Sequence, residues 1–264
     1  MSIGRFLTAI VAVASLSFLA GCSEETPTAG TTAKKIVVGT EPTFPPFESK
    51  DEAGNFVGFD IDMVKAIAAK QGLEVEFKDL PFDSLIPALQ SGQIDMIASG
   101  LSITDERKKA VDYSDPYIDA GLSIAVKKSD SVIKTSADLK GKSAAVQQGS
   151  TGAKKAEELQ KAGTLKEVRQ FPTVPLAMME LAKGSVDVVI NDRPVSEAFV
   201  AAQPGEIKLL DEVIDADSYG LAVRKGNTEL LTKINAGLST IKADGSLKGI
   251  KDKYFKPAIT QPTK

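Results

Sequence analysis

The side chains present narrow the chemistry before any fold is considered. The chain holds no histidine and a single cysteine, Cys22. Ser-His-Asp and Cys-His catalysis are therefore excluded, and so are the usual zinc sites. An enzyme built from this inventory would have to work with carboxylates alone, or around a hard cation. Neither a metal nor a cofactor is expected. The groups that could bind or polarise a small molecule include Glu41, Ser99, Ser102, Arg107, Gln147, Thr151 and Asp192. Taken singly, most have bland explanations. Arg107-Lys108-Lys109 reads as a solvated basic turn. Asp192 reads as a helix cap ahead of Arg193-Pro194. What separates a site from a surface is where the secondary structure delivers them.

The elements alternate between strand and helix. Ile36–Thr40 is a β-branched run, read as a buried strand. A short strand over 56–59 leads to a helix from Asp60 to Lys70, with Ile61, Val64 and Ile67 at helical spacing and Gly72 as the stop. A strand follows at 74–80, then a helix at 83–91 that tolerates Pro87 near its first turn and ends at Gly92. Further strands are expected at 94–99, 121–128, 143–147, 167–171, 186–190 and 219–223. Helices are expected at 151–162 and 174–183, from about Pro194, and from Thr228 onward. This pattern predicts an α/β protein with mainly parallel sheets flanked by helices.

Two segments resemble each other. Leu85 to Ile97 and Met178 to Val189 each run from an amphipathic helix through a Gly stop into apolar-Asp-apolar-apolar. Any βαβ unit with a tight turn has this form. Two lobes of one architecture, each feeding a strand end into a shared cleft, would have it too. Ligands of open α/β sheets sit beyond the carboxyl ends of strands. The residues to inspect are thus 41–44 and 99–102 in one half, and 147–151 and 191–192 in the other.

The start of the chain has a different character. Residues 1–5 carry one positive charge and 6–18 are largely apolar, about the length of a signal-peptide core. The run ends in Leu19-Ala20-Gly21-Cys22, which resembles the lipobox of bacterial lipoproteins. That resemblance implies cleavage after residue 22's predecessor and lipid attachment at Cys22, so 1–22 is assigned as leader plus lipobox. Residues 23–33, rich in Thr, Glu, Pro and Gly, read as a flexible tether. The remaining ~230 residues suffice for one large or two small cores. With a formal charge of −3 and interspersed Lys and Glu, nucleic acid is not expected as a partner.

Four ordered motifs carry a family resemblance. They are Gly39-Thr40-Glu41-Pro42-Thr43-Phe44-Pro45-Pro46-Phe47-Glu48, Val57-Gly58-Phe59-Asp60-Ile61-Asp62-Met63, Phe82-Asp83-Ser84-Leu85-Ile86-Pro87-Ala88-Leu89, and Ser102-Ile103-Thr104-Asp105-Glu106-Arg107 with Val111-Asp112-Tyr113-Ser114-Asp115-Pro116-Tyr117. The chain resembles the polar amino-acid-binding proteins of ABC transporters from about Lys34 to Phe255. The resemblance implies a type II periplasmic-binding-protein-like fold, with two lobes joined by a two-strand hinge. One lobe would be 34–117 plus 219–264 and the other 121–215, with crossings at 117–121 and 215–219. It implies a monomer that captures a free amino acid, delivers it to an ABC permease and is held to a membrane by its lipid. The setting would be a periplasm or the outer face of the cell membrane.

A free amino acid needs opposite charges or dipoles for both of its ends. By the resemblance, Arg107 takes the carboxylate, helped by main-chain N–H groups near Ser102 and Thr151. Asp192, the Gly100 carbonyl and the Ser102 hydroxyl take the ammonium, while Ser99 belongs to the same strand-end cluster. Phe44 and Phe82 occupy positions that sandwich the ligand side chain, and Gln147 and Glu41 face its tip. Arg107, Asp192 and Glu41 together leave one net negative charge, which a cationic ligand balances. The order of preference is arginine, lysine or ornithine, then glutamine, then cystine. Two alternatives share the scaffold: a cyclohexadienyl dehydratase using Glu41 as its acid, and a sensory protein presenting ligand to a receptor.

Overall fold

The computed structural model describes residues 35–255. The leader, Cys22 and the 23–33 tether lie outside the described residues. Strand β1 (Ile36–Thr40) forms where the β-branched run predicts it and ends in three buried residues. Three short strands then make a small antiparallel sheet: β2 (Thr43–Phe44), β3 (Glu48–Lys50) and β4 (Phe56–Val57). The sequence signals only part of the last of these, because strands of two or three residues are too short for a visible alternation. Helix α1 (Phe59–Gln71) ends at Gly72 in the left-handed conformation, as its stop signal requires. The first half continues through β5 (Val75–Asp79), α2 (Leu85–Ser91), β6 (Met96–Ile97), α3 (Asp105–Lys108) and β7 (Val111–Tyr113).

Next come β8 (Ile118–Lys127), β9 (Lys142–Gln147), α4 (Thr151–Lys161), β10 (Leu165–Phe171), α5 (Val174–Lys183), β11 (Val188–Asp192) and α6 (Arg193–Ala202). The chain then returns through β12 (Ile207–Tyr219), β13 (Ala222–Arg224), α7 (Thr228–Ala243) and α8 (Ser246–Tyr254). Two five-stranded sheets result, ordered β5-β1-β6-β13-β7 and β10-β9-β11-β8-β12. Both are mixed. In each, the first two pairings are parallel and the last two antiparallel. The antiparallel strands are those reached without a strand-helix-strand crossover, which is the connection that forces parallel pairing. Among the described residues no helix is long and apolar enough to cross a membrane.

β12 is the element that the sequence hides. Its acidic Asp211-Glu212 and Asp215-Ala216-Asp217 stretches lack alternation, yet it pairs with β8 from Ile207↔Lys127 to Tyr219↔Ile118. The register is broken between Leu209 and Asp215, so the ladder twists as it leaves the second sheet. At its far end β12 is stitched to the first half. Ile103 N donates to Ser218 O at 2.9 Å, Tyr117 N to Tyr219 O at 3.1 Å, and Gly220 N to Leu101 O at 3.2 Å. β8 and β12 thus carry the backbone between the two sheets.

An aromatic cluster underlies that junction. The Phe47 ring lies 5.0 Å from Tyr219, 6.0 Å from Phe59 and 5.3 Å from Phe255, in edge-on geometry. The same apolar cluster takes in Phe44 and Tyr117 and reaches Val174 and Met178 on α5. The turn into α1 is built against it. Gly58 sits at φ 137°, and a Cβ there would lie 2.1 Å from the Phe47 carbonyl oxygen. Phe59 N and Asp60 N donate into the same turn, to Pro46 O and Phe47 O. Gly58→Ala is therefore expected to cost about 2 kcal/mol or more, lowering Tm by roughly 4–8 °C. Differential scanning calorimetry checks this; an unchanged Tm would refute the close-approach argument.

Candidate functional site

Glu41 leaves the end of β1 and is buried. Its main-chain N–H donates to Ser99 Oγ at 3.0 Å, and Ser99 Oγ donates to Glu48 Oε1 at 3.0 Å. The Glu41 carboxylate accepts from the Thr43 hydroxyl and from Gln147 Nε2 at 3.2 Å. Gln147 ends β9 in the other sheet and also reaches Pro172 O at 3.3 Å. The Glu41–Gln147 bond therefore bridges the two halves. Phe44 is buried beside this pair, and its ring edge fills the space that a Cβ on Gly100 would need, 2.7 Å away. Gly100 holds φ 48°, so that residue must be small and left-handed.

Arg107 is not a solvated turn residue. Thr104 caps α3, accepting from Arg107 N at 3.1 Å, and this fixes where the side chain leaves. The guanidinium donates from Nη1 to Ser102 O at 3.1 Å and from Nη2 to Gly149 O at 3.0 Å. Its centre stands 5.5 Å from the Phe82 ring centroid. The Gly149 bond crosses to the second half. A Cβ at Gly149 would meet Asp83 Cβ at 3.0 Å. Lys154 and Glu106 also pair across the gap at 2.6 Å, but both are exposed and add little.

Asp192 occupies the cap position of α6 and makes no capping hydrogen bond. Its carboxylate instead accepts from the Tyr219 hydroxyl. Ser150, not Thr151, caps α4, accepting from Ala153 N at 3.0 Å. Two grooves open alongside. One of about 580 Å³ is bordered by Arg107, Gly149 and Thr151. The other, of about 310 Å³, is bordered by Thr104, Thr151 and Asp217.

The structure thus gathers the predicted residues into two adjoining groups. Glu41, Phe44, Ser99, Gly100 and Gln147 form one. Ser102, Arg107, Thr151 and Asp192 form the other, with Phe82 against the guanidinium. Sequence reasoning missed Glu48, Asp60, Asp217 and Tyr219. Asp60 Oδ2 accepts from Gly100 N at 3.0 Å and from the Tyr117 hydroxyl at 2.7 Å, directly beneath the Ser99–Gly100 turn. Both Glu48 and Asp60 lie inside motifs quoted above, but nothing in their spacing says that they are buried.

Negative charge dominates. Burial pushes Asp192 up to about 7, with Asp217 adding repulsion and Tyr219 and Arg107 opposing. Burial likewise pushes Asp60 up to about 7, against the Gly100 and Tyr117 hydrogen bonds. Glu48 is raised well above its ordinary value by burial and then by Asp60. Burial also raises Glu41 and Asp217. Among the described residues, no group of His, Cys, Asp or Glu converges to hold a metal ion.

A folded-state pKa above the unfolded value means that the native state binds the proton more tightly. The stability contributed by Asp60 and Asp192 is thus full below about 4 and is lost as pH rises through about 7. Ligand-free protein is expected to melt at a lower temperature at pH 8 than at pH 5, and Asp60→Asn is expected to flatten that slope. A Tm that rises over this interval in the unsubstituted protein would contradict the assignment.

Two mixed sheets, each covered by helices and joined by a pair of antiparallel strands, define the type II class of periplasmic binding folds. The chain belongs to the bacterial extracellular solute-binding proteins, family 3, whose profile matches residues 36–257. It is 36% identical over 230 residues to the L-arginine-binding protein of Pseudomonas aeruginosa, covering 84% of this chain and 88% of that one. It is 35% identical over 252 residues to the arginine-binding extracellular protein ArtP of Bacillus subtilis, covering 95% and 98%. An ancestral arginine-binding protein bound to arginine superposes with a TM-score of 0.80 at 49% identity, covering 84% of this chain and 98% of that one. The same ancestral protein bound to glutamine gives 0.79 over the same extent. An ancestral amino acid-binding protein, a precursor of cyclohexadienyl dehydratase, gives 0.77 at 39% identity, covering 84% and 96%. This protein is accordingly an amino-acid-binding member of an extracellular family.

Proposed function

We propose that the protein captures a basic amino acid, arginine foremost, between its two halves and hands it to an ABC permease. The observation that carries this reading is the surplus of buried carboxylate around Glu41 and Asp192, which the Arg107 guanidinium alone does not balance. Arg107 serves the ligand carboxylate. Asp192, Gly100 O and the Ser102 hydroxyl serve the ammonium. Glu41 and Gln147 serve the side-chain tip, and Phe44 and Phe82 flank its stem. The arginine-binding relatives support the same assignment. One half comprises 34–117 and 219–264, the other 121–215. The crossings at 117–121 and 215–219 act as the hinge, and ligand contacts made from both sides favour the closed state. The protein works as a monomer without a cofactor. An ammonium subsite at Asp192 argues against dehydration of a ring acid that lacks an ammonium, and turnover of prephenate or arogenate by the purified protein would overturn this reading.

Calorimetric titration against the proteinogenic amino acids and ornithine tests the ligand. Arginine is expected to bind tightest, and Arg107→Ala to abolish measurable binding. Glu41→Gln is expected to weaken arginine by about 30-fold or more, as loss of one partner in a buried charge pair does, while sparing glutamine. Equal loss for both ligands would defeat the charge argument.

The membrane tether is proposed at Cys22, following Leu19-Ala20-Gly21. In cells expressing the full chain, Cys22→Ser is expected to move the protein from the membrane fraction to the soluble extracytoplasmic fraction. Retention of the variant on the membrane would rule the anchor out.

A further inference from the structure

Asp217 stands outside every subsite assigned above. It lies on β12 where that strand leaves the second sheet, opposite Ala120 of β8. The next two residues are fastened to the first half: Ser218 O accepts from Ile103 N, and Tyr219 pairs with Ser102. That register leaves Asp217 little freedom and places it two residues from Tyr219, the partner of Ser102, so that the three side chains share one face. Its Oδ1 is buried and has no hydrogen-bond partner. Arg107 lies close enough to attract this carboxylate, and Asp217 close enough to Asp192 to repel it.

A buried carboxylate oxygen left without a donor is costly. Two acids placed to repel each other raise that cost, unless a cation with several donors sits between them. A primary ammonium supplies three N–H groups and a unit charge. Asp192 offers acceptance from the second half and Ser102 from the first. Asp217 offers it from the strand that joins them. Asp217 also borders the groove that Thr104 and Thr151 line.

We infer that Asp217 is a second anionic acceptor for the ligand's α-ammonium, so that the connecting strand is itself part of the binding site. This inference rests on the proposed amino-acid reading of the site. It adds a consequence: the ammonium draws together groups from both halves and from the crossing between them. A ligand lacking the ammonium forfeits that pull, whatever its side chain.

The test compares L-arginine with guanidinovalerate, which is arginine without its α-amino group, by calorimetric titration of the purified protein. In Asp217→Asn, arginine affinity is expected to fall at least about tenfold. Affinity for guanidinovalerate is expected to hold or rise, because an uncompensated charge has gone. Asp217→Glu, which keeps the charge, is expected to recover part of the arginine affinity. Glu229→Gln serves as a control; its exposed carboxylate pairs with Lys233 at 2.9 Å, and arginine binding should be unchanged. Equal losses for both ligands would make Asp217 a structural strut of the junction and overturn the inference, as would an undiminished arginine affinity. If the unsubstituted protein prefers glutamine, the same comparison is run with L-glutamine and glutaramate. Failure of the unsubstituted protein to bind any amino acid would strike down the ligand reading and this inference with it. Arginine loss in Asp217→Asn with guanidinovalerate affinity retained supports both.

Discussion

Carboxylates that the protein takes out of water and does not neutralise set the terms for everything around them. Glu41, Glu48, Asp60 and Asp192 are all buried. Removing a carboxylate from water costs several kcal/mol even after relaxation, unless a cation or several donors replace the solvent. Ser99, Tyr117, Tyr219 and main-chain N–H groups supply donors. Arg107 supplies positive charge near Asp192 and Asp217, while neighbouring carboxylates oppose it. The raised proton affinities are the protein's own response to that shortage: it takes up protons where it has no cation. An ammonium or guanidinium entering from outside offers a better solution, which is why the proposed ligand is basic.

The architecture answers a second requirement, that these groups come from separate bodies. Asp192 and Gln147 end strands of one sheet, while Glu41 ends a strand of the other. Tyr219 touches both constraints at once. Its hydroxyl donates to Asp192, its ring packs on Phe47, and its backbone closes the ladder with Ile118. A rotation of one half against the other would have to move the Asp192 carboxylate relative to that ring. The acid network and the crossing strands are thus mechanically one unit, even though 27 residues separate Asp192 from Tyr219.

Much of the fold was legible because local signals agreed. β1 follows from its β-branched run, and α5 falls on the residues that its periodicity and the Gly184 stop mark out. What was not legible depends on partners far away in the sequence. β12 has no alternation of its own and becomes a strand because β8 offers it a ladder. Asp192 precedes Arg193-Pro194 as a cap would, and only the distant Tyr219 hydroxyl draws the side chain elsewhere. Arg107 sits in a basic run, yet the Thr104 cap and the facing Gly149 carbonyl turn it inward. For both residues the local reading was reasonable, and the similarity of the ordered motifs pointed the other way. Asp60 and Glu48 lay inside those motifs, and their burial could not be inferred from spacing: an acid at a helix start, as Asp60 is, is ordinarily a solvated first-turn residue, and Glu48 lies in a strand of three residues.

The glycines show how narrowly the acids are held. Gly100 must be left-handed so that its N–H reaches Asp60 while the Phe44 ring closes over it. A side chain there would displace the ring, and with it the wall beside Glu41. Gly149 presents its carbonyl to Arg107 and leaves no room for a Cβ against Asp83. In both cases the backbone, rather than a side chain, approaches the charged group. Main-chain dipoles have little freedom to reorient, so they stabilise a charge without the ordering cost of a flexible side chain. The same economy explains why the acids are surrounded by hydroxyls and N–H groups rather than by lysines. A fixed lysine would neutralise the site permanently and compete with a cationic ligand, whereas neutral donors keep the carboxylates in place and leave their charge for the incoming molecule.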